Sequence, residues 1–184
     1  MAQIEIIETE LKGVKIIRPA YLEDFRGYYC ETYSSRTMNE YGINIVFVQD
    51  NHSYTIKKGT IRGIHFQNNP KPQVKLVRCT KGRIMDFAVD LRKDSPNYKK
   101  WIQTELSACN RKQILIPSGF GHAFITLEDN CEVLYKFSDF YDPELYKSLS
   151  WNDPQLGISW GIDNPIMSEK DLNAPTMECC EINL

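Results

Sequence analysis

Histidine is scarce in this chain: only His52, His65 and His122 occur in 184 residues. With so few, a metal site in a barrel becomes an alternative that the spacing of its ligands must decide. No Cys-x-x-Cys pair is present, and the six cysteines (Cys30, Cys79, Cys109, Cys131, Cys179, Cys180) are scattered apart from the last two. Neither a disulfide framework nor a structural zinc site fits that spacing, so these read as small buried or incidental side chains. Charge of one sign is not in excess. A net charge of −2 gives no global field toward nucleic acid or an anionic membrane. An anionic ligand must then be held by a few locally placed Arg and Lys side chains. No apolar run approaches the ~20 residues of a membrane-spanning helix. The opening MAQIEIIETELKGVK is acidic, without the basic and apolar regions of a signal peptide, and a cytoplasmic location is the expectation. Repeats, low-complexity tracts and Pro/Gly-rich linkers are all missing, which argues for one domain over 1–184.

What is present is a succession of short runs rich in β-branched and aromatic residues. Ile43–Thr55, Gly59–Phe66, Gln73–Thr80, Arg83–Leu91, Trp101–Leu106, Gln113–Pro117, His122–Thr126 and Cys131–Phe137 read as strands. Lys81-Gly82 is a hairpin signal between two of them. In Lys75-Leu76-Val77-Arg78, residues 75 and 77 face one way, 76 and 78 the other. Ser35–Tyr41 alone reads as helix, capped by Ser34 or Ser35. From about Tyr141 the chain is punctuated by Pro and Asp and is expected to wrap the rest as a tail. Short strands at near-regular spacing predict an all-β fold, a sandwich or jelly-roll barrel.

A metal-binding jelly roll of the cupin type wants a His-x-His pair, a downstream carboxylate and a later His. Here Gln67 stands two residues after His65, and Asn68, Asn69, Pro70 and Lys71 follow. Pro117-Ser118-Gly119-Phe120-Gly121-His122 does resemble the second cupin motif, but one imidazole plus amides is a poor shell for a divalent ion. No metal is expected. Imidazole remains the best side chain for moving a proton near neutral pH, which makes His65 a candidate base. Arg62 and Lys75, on adjacent predicted strands, would supply cations to a barrel interior, suited to phosphate or a developing oxyanion. On spacing alone the opposite reading stays open, with surface cations and a hydrogen-bonded core histidine.

Taken in order, further segments decide between these. Asp24-Phe25-Arg26-Gly27-Tyr28-Tyr29-Cys30-Glu31, Phe47-Val48-Gln49-Asp50-Asn51-His52-Ser53, the RGIHFQ run at 62–67 and Gln73-Val74-Lys75-Leu76-Val77-Arg78 come first. Residues 88–96, 116–122, Leu134-Tyr135-Lys136, Trp151-Asn152-Asp153-Pro154 and Met167-Ser168-Glu169-Lys170-Asp171 complete the series. The chain resembles the dTDP-4-dehydrorhamnose 3,5-epimerase family across roughly residues 16–175.

That resemblance implies a dimeric jelly roll, with its N-terminal strand exchanged between subunits. It would invert C3 and C5 of a nucleoside-diphosphate 4-keto-6-deoxy sugar without a cofactor. The family's pattern makes His65 the base, Asp171 its partner, Tyr135 the opposing proton donor, and Lys75 the cation at the C4 oxyanion. It assigns Arg62 and Arg26 to the diphosphate, Arg26 from the neighbouring subunit. Tyr29, Glu31, Gln49 and Asn51 go to the base and ribose, and His122 and Lys170 to further contacts. The chain departs from the pattern in two places. Ala123 stands where His-Gly-Phe is usual, adding a methyl expected near the pocket wall, and a frequent glutamate falls near Tyr146. These departures leave room for inversion at C3 or C5 only. A metal-dependent cupin and a non-catalytic sugar-nucleotide binder are the remaining alternatives.

Overall fold

Side chains that alternate along short extended runs can bury one face only against another layer, and this chain builds two such layers. The computed structural model describes residues 4–184. Along it run β1 (Glu5–Glu8), β2 (Lys15–Arg18), β3 (Tyr21–Asp24), β4 (Gly27–Cys30), α1 (Ser35–Glu40), β5 (Gln49–Thr55) and β6 (Ile61–Gln67). Next come β7 (Lys75–Lys81), β8 (Arg83–Asp90), β9 (Trp101–Ser107), β10 (Gln113–Ile116) and β11 (Phe120–Thr126). The last elements are β12 (Cys131–Phe137), β13 (Tyr146–Ser148) and α2 (Glu169–Leu172). One sheet has the order β1-β2-β10-β7-β12-β5, the other β13-β6-β11-β8-β9, and β3 and β4 form a separate hairpin. The fold is all-β, a jelly roll, as the strand pattern predicts.

Three apolar clusters hold it. Val77, Ile84, Ala88, Ile114, Phe124 and Val133 draw on both sheets and fill the space between them. Ile64, Phe66, Phe87, Val89, Ala123 and Ile125 form the outer face of the five-stranded sheet, covered by Leu149, Leu156, Trp160, Met177 and Ile182 of the tail. Ile17, Leu76 and Leu115 lie on the opposite outer face beneath Ile4, Met38 and Ile43. Both sheets are thus covered outside as well as in, so Leu76 is buried although it points away from Val77.

Two expectations are corrected. Lys81-Gly82 does not close a hairpin: β7 and β8 belong to different sheets, and the turn is a corner between layers. Gly82 is needed there because φ is +74° and a Cβ would lie 2.7 Å from Cys131 Sγ. The strand predicted from Ile43 begins only at Gln49. Before it, Ile43, Ile45 and Phe47 face the outer cluster as unpaired chain.

Gly63 is the glycine that shapes the interior. Its φ is +127°, and a Cβ would sit 2.4 Å from Ala123 Cβ and 2.7 Å from the His122 carbonyl oxygen. The β6–β11 register slips here, with His122 opposite His65 but Phe124 opposite Arg62. On a regular strand, residues three apart face opposite sides. The irregularity lets Arg62 and His65 both line the interior. Gly63→Ala should cost about 3 kcal/mol and lower the melting temperature by roughly 6–12 °C in a thermal melt. An unchanged melt would show that β6 can move off β11 freely.

Candidate active site

The open end of the barrel holds a cavity of about 660 Å³ between the two sheets. Nine of the residues singled out from the sequence line it: Gln49, Asn51, Arg62, His65, Lys75, His122, Tyr135, Lys170 and Asp171. Arg62 and Lys75 reach it from opposite sheets, not from adjacent strands.

His65 projects from β6, with Nε2 2.7 Å from Asp171 Oδ1. Asp171 is fixed in turn: Ser168 caps α2 by accepting the Asp171 N–H at 3.1 Å, and Asp171 Oδ2 accepts the Gly63 N–H at 3.4 Å. Burial lowers the His65 pKa below its ordinary value, and the bond to Asp171 offsets this only in part. Burial pulls Asp171 the other way, but its bonds from His65, Gly63 and Ser168 win and hold it below the usual carboxylate range. The pair therefore rests as a neutral imidazole on a carboxylate. One ring nitrogen is engaged, and the other is left to take a proton.

Facing His65 from the six-stranded sheet is Tyr135 on β12, its hydroxyl 3.0 Å from Ser53 Oγ. Burial pushes its pKa up, so the phenol keeps its proton. Lys75, 5% exposed, donates from Nζ to the His65 carbonyl oxygen at 3.1 Å. Burial lowers its pKa to about 8, against a smaller upward pull from Asp86. Arg62 is anchored through Nε on Thr55 Oγ1 at 3.0 Å and Nη2 on the Tyr54 carbonyl at 3.3 Å. Gln49 Nε2 donates to Asn51 Oδ1 at 2.9 Å.

A second imidazole–carboxylate pair lies deeper. His122 Nε2 is 2.8 Å from Asp86 Oδ2, and both side chains are buried. Burial raises the Asp86 pKa, and its Oδ1 has no partner among the described residues. Asp86 was missed from the sequence, where the one available signal was a carboxylate inside the apolar run Ile84–Val89. Ser53 and Tyr146 were also missed, although both line the cavity. His52 lies outside it, paired with Glu132 at 3.2 Å on the surface.

Arg26, Tyr29 and Glu31 are not in this cavity. Arg26 pairs with Asp24 at 2.6 Å near the tip of the β3–β4 hairpin, and Glu31 accepts from Thr37 Oγ1 at 2.7 Å. The hairpin exposes Tyr29 at 73% and Phe25 at 97%. No group of three or more His, Cys, Asp or Glu side chains among the described residues is arranged to hold a metal ion.

A family profile described as dTDP-4-dehydrorhamnose 3,5-epimerase matches residues 8–178. The chain belongs to that family. It is 46% identical over 176 residues to the dTDP-4-dehydrorhamnose 3,5-epimerase of Methanothermobacter thermautotrophicus, covering 94% of each chain. It superposes with a TM-score of 0.93 on the crystal structure of the Bacillus anthracis dTDP-4-dehydrorhamnose 3,5-epimerase with TDP and PPi bound. That match is 42% identical, covering 95% of this chain and 100% of the other. The Legionella pneumophila dTDP-6-deoxy-D-glucose-3,5-epimerase in complex with dTDP-4-keto-L-rhamnose gives 0.92 at 37% identity, covering 97% and 95%.

Within this chain of the dTDP-4-dehydrorhamnose 3,5-epimerase family, the Ala123 methyl expected near the pocket wall does not narrow the cavity. Ala123 is buried in the outer cluster against Gly63, not among the cavity-lining residues.

Proposed function

We propose that this chain is a dTDP-4-dehydrorhamnose 3,5-epimerase. It inverts C3 and C5 of dTDP-4-dehydro-6-deoxy-D-glucose, a step toward dTDP-L-rhamnose. The observation that carries the reading is the pairing of a neutral His65–Asp171 dyad on one sheet with the Tyr135 phenol on the other. A ketone at C4 acidifies the hydrogens on C3 and C5, because the carbanion left by proton loss delocalises as an enolate. His65 takes the proton from one face of the ring, and the resulting imidazolium is stabilised by Asp171. Lys75 faces the C4 oxygen as negative charge develops there. Tyr135 returns a proton to the opposite face, which inverts the centre. The substrate's own carbonyl is the electron sink, so no cofactor enters.

Arg62 holds the diphosphate, with Gln49, Asn51, His122 and Lys170 on the remaining polar groups of the nucleotide and sugar. Nucleotide binding then orients the sugar against His65, so remote binding energy supports the chemical step. A homodimer completes the site. The β3–β4 hairpin would carry Arg26, Tyr29 and Glu31 to the partner's cavity, and the N-terminal strand would cross with it. The exposed Phe25 and Tyr29 support that reading. A cytoplasmic location, where nucleotide sugars are made, belongs to the same proposal.

Turnover in deuterated water tests it. Each inverted carbon should exchange its hydrogen for deuterium, so label at both C3 and C5 is expected by NMR of the product. Label at one carbon alone would make this a mono-epimerase. Label at neither would remove the epimerase reading altogether.

A further inference from the structure

Tyr146 has been given no role so far, yet it makes the closest aromatic approach to His65. It starts β13, the edge strand that pairs with β6 through Tyr146–Gln67 and Ser148–His65. Its ring centroid lies 5.3 Å from that of His65, with the planes at 45°. Lys170 Nζ sits 4.4 Å from the same ring, and Tyr141 meets it edge-on at 5.2 Å. The aromatic ring is therefore a near neighbour of both an ammonium group and the imidazole. Its hydroxyl forms no hydrogen bond with another described residue, so the ring is the part with partners.

A base that must start each cycle unprotonated needs a particular electrostatic setting. Asp171 on α2 draws a proton onto His65. Lys75 from the opposite sheet and His122 from neighbouring β11 oppose it. Arg62 on the same strand, Lys170 on α2 and Tyr135 on β12 also face the cavity. A bare dyad in water would favour the imidazolium, and the counterweight is loss of solvent around the ring. Tyr146 supplies bulk at that point without charge.

We propose that Tyr146 is a positioning residue whose ring, not its hydroxyl, keeps His65 a free base at neutral pH by excluding water from the imidazole and holding Lys170 beside it. This deepens the epimerase reading, since the acid limit of turnover would then be set from β13. The effect on the imidazole itself is independent of substrate. The largest influence lowering the proton affinity of His65 is burial, as such a wall requires.

The test is an NMR titration of the imidazole C2 protons in the resting protein, where only three histidines contribute and His65→Asn identifies its signal. Tyr146→Phe should leave the His65 midpoint in place. Tyr146→Glu puts a carboxylate beside the ring and should raise the midpoint by about one unit or more, a tenfold loss of free base at a given lower pH. Tyr146→Ala admits water and should move it the same way by less, which keeps the sign test available if the glutamate variant does not fold. The acid limb of kcat/KM should follow the midpoint. A midpoint unmoved in both Tyr146→Ala and Tyr146→Glu overturns the proposal. So does a shift in Tyr146→Phe equal to that in Tyr146→Ala, which would assign the effect to the hydroxyl. If the midpoints shift as expected while no deuterium enters the sugar, the epimerase reading fails and the role of Tyr146 stands.

Discussion

His65→Asn should abolish measurable epimerisation while leaving affinity for dTDP within a few-fold of the parent. A positioned general base typically contributes ~10²–10⁴-fold. Here the loss should lie at or beyond the upper end, because the ketone provides acidity but nothing else in the cavity can replace the imidazole on that face. Asparagine fills much of the imidazole's volume and can still donate to Asp171, which bonds His65 at 2.7 Å. A collapse of the site is therefore not the expected cause. Isothermal calorimetry with dTDP separates the two effects: unchanged affinity with lost turnover marks a chemical role. Turnover within tenfold of the parent would remove His65 from that role. The pH dependence carries the same signature. His65 must be unprotonated and titrates below the ordinary histidine value, so kcat/KM should fall only as pH drops through that lowered midpoint.

Lys75→Met should lower kcat by ~10²–10³, the usual cost of deleting one preorganised donor to a developing oxyanion. Stability should move the other way or not at all. Lys75 is buried; its ammonium donates to the His65 carbonyl at 3.1 Å and lies 5.8 Å from the centre of the Phe137 ring, while Asp86 contributes a smaller attraction. Methionine restores apolar bulk and removes a desolvated charge costing several kcal/mol, against about 1.5–3 kcal/mol for the lost charged hydrogen bond. A thermal melt at or above that of the parent, together with a crippled kcat, is the expected pair of results. A lower melt with kcat intact would make Lys75 a packing residue. Because the ammonium form does the work and burial lowers its pKa to about 8, parent activity should decline as pH rises through that value. Together with His65 this gives a bell with its basic limb on the lysine.

Much of this site is legible in the sequence, for a physical reason. His65, Arg62 and Lys75 sit on strands whose chemistry is odd for packing, and the ordered motifs supply their roles. What could not be read locally is how they meet. Arg62 and His65 are three apart, and a period of two puts them on opposite faces until the slip at Gly63 turns the strand. Asp171 reaches His65 across 106 positions, which no local pattern encodes. Asp86 looks like an isolated acid in an apolar strand until β11 brings His122 against it. The turn at Lys81-Gly82 was misassigned because a glycine with positive φ serves a corner between sheets as well as a hairpin. Strand positions 49, 51 and 53 all line the cavity and share one motif, yet the resemblance gives a role only to Gln49 and Asn51, and Ser53 is marked by its period-two spacing alone.

The dyad's carboxylate lies in the tail, and synthesis proceeds from the other end. Every strand has left the ribosome once Ser148 has emerged, but Asp171 has not. The parallel bridge from Thr60 to Ile166, which leads α2 toward the cavity, is also still to form. Until then the outer face of the five-stranded sheet also lacks Met177 and Ile182. The nascent chain thus gains its proton acceptor's partner shortly before the last of this apolar cover, so a product cut short before Asp171 would be inert and would leave part of that sheet bare.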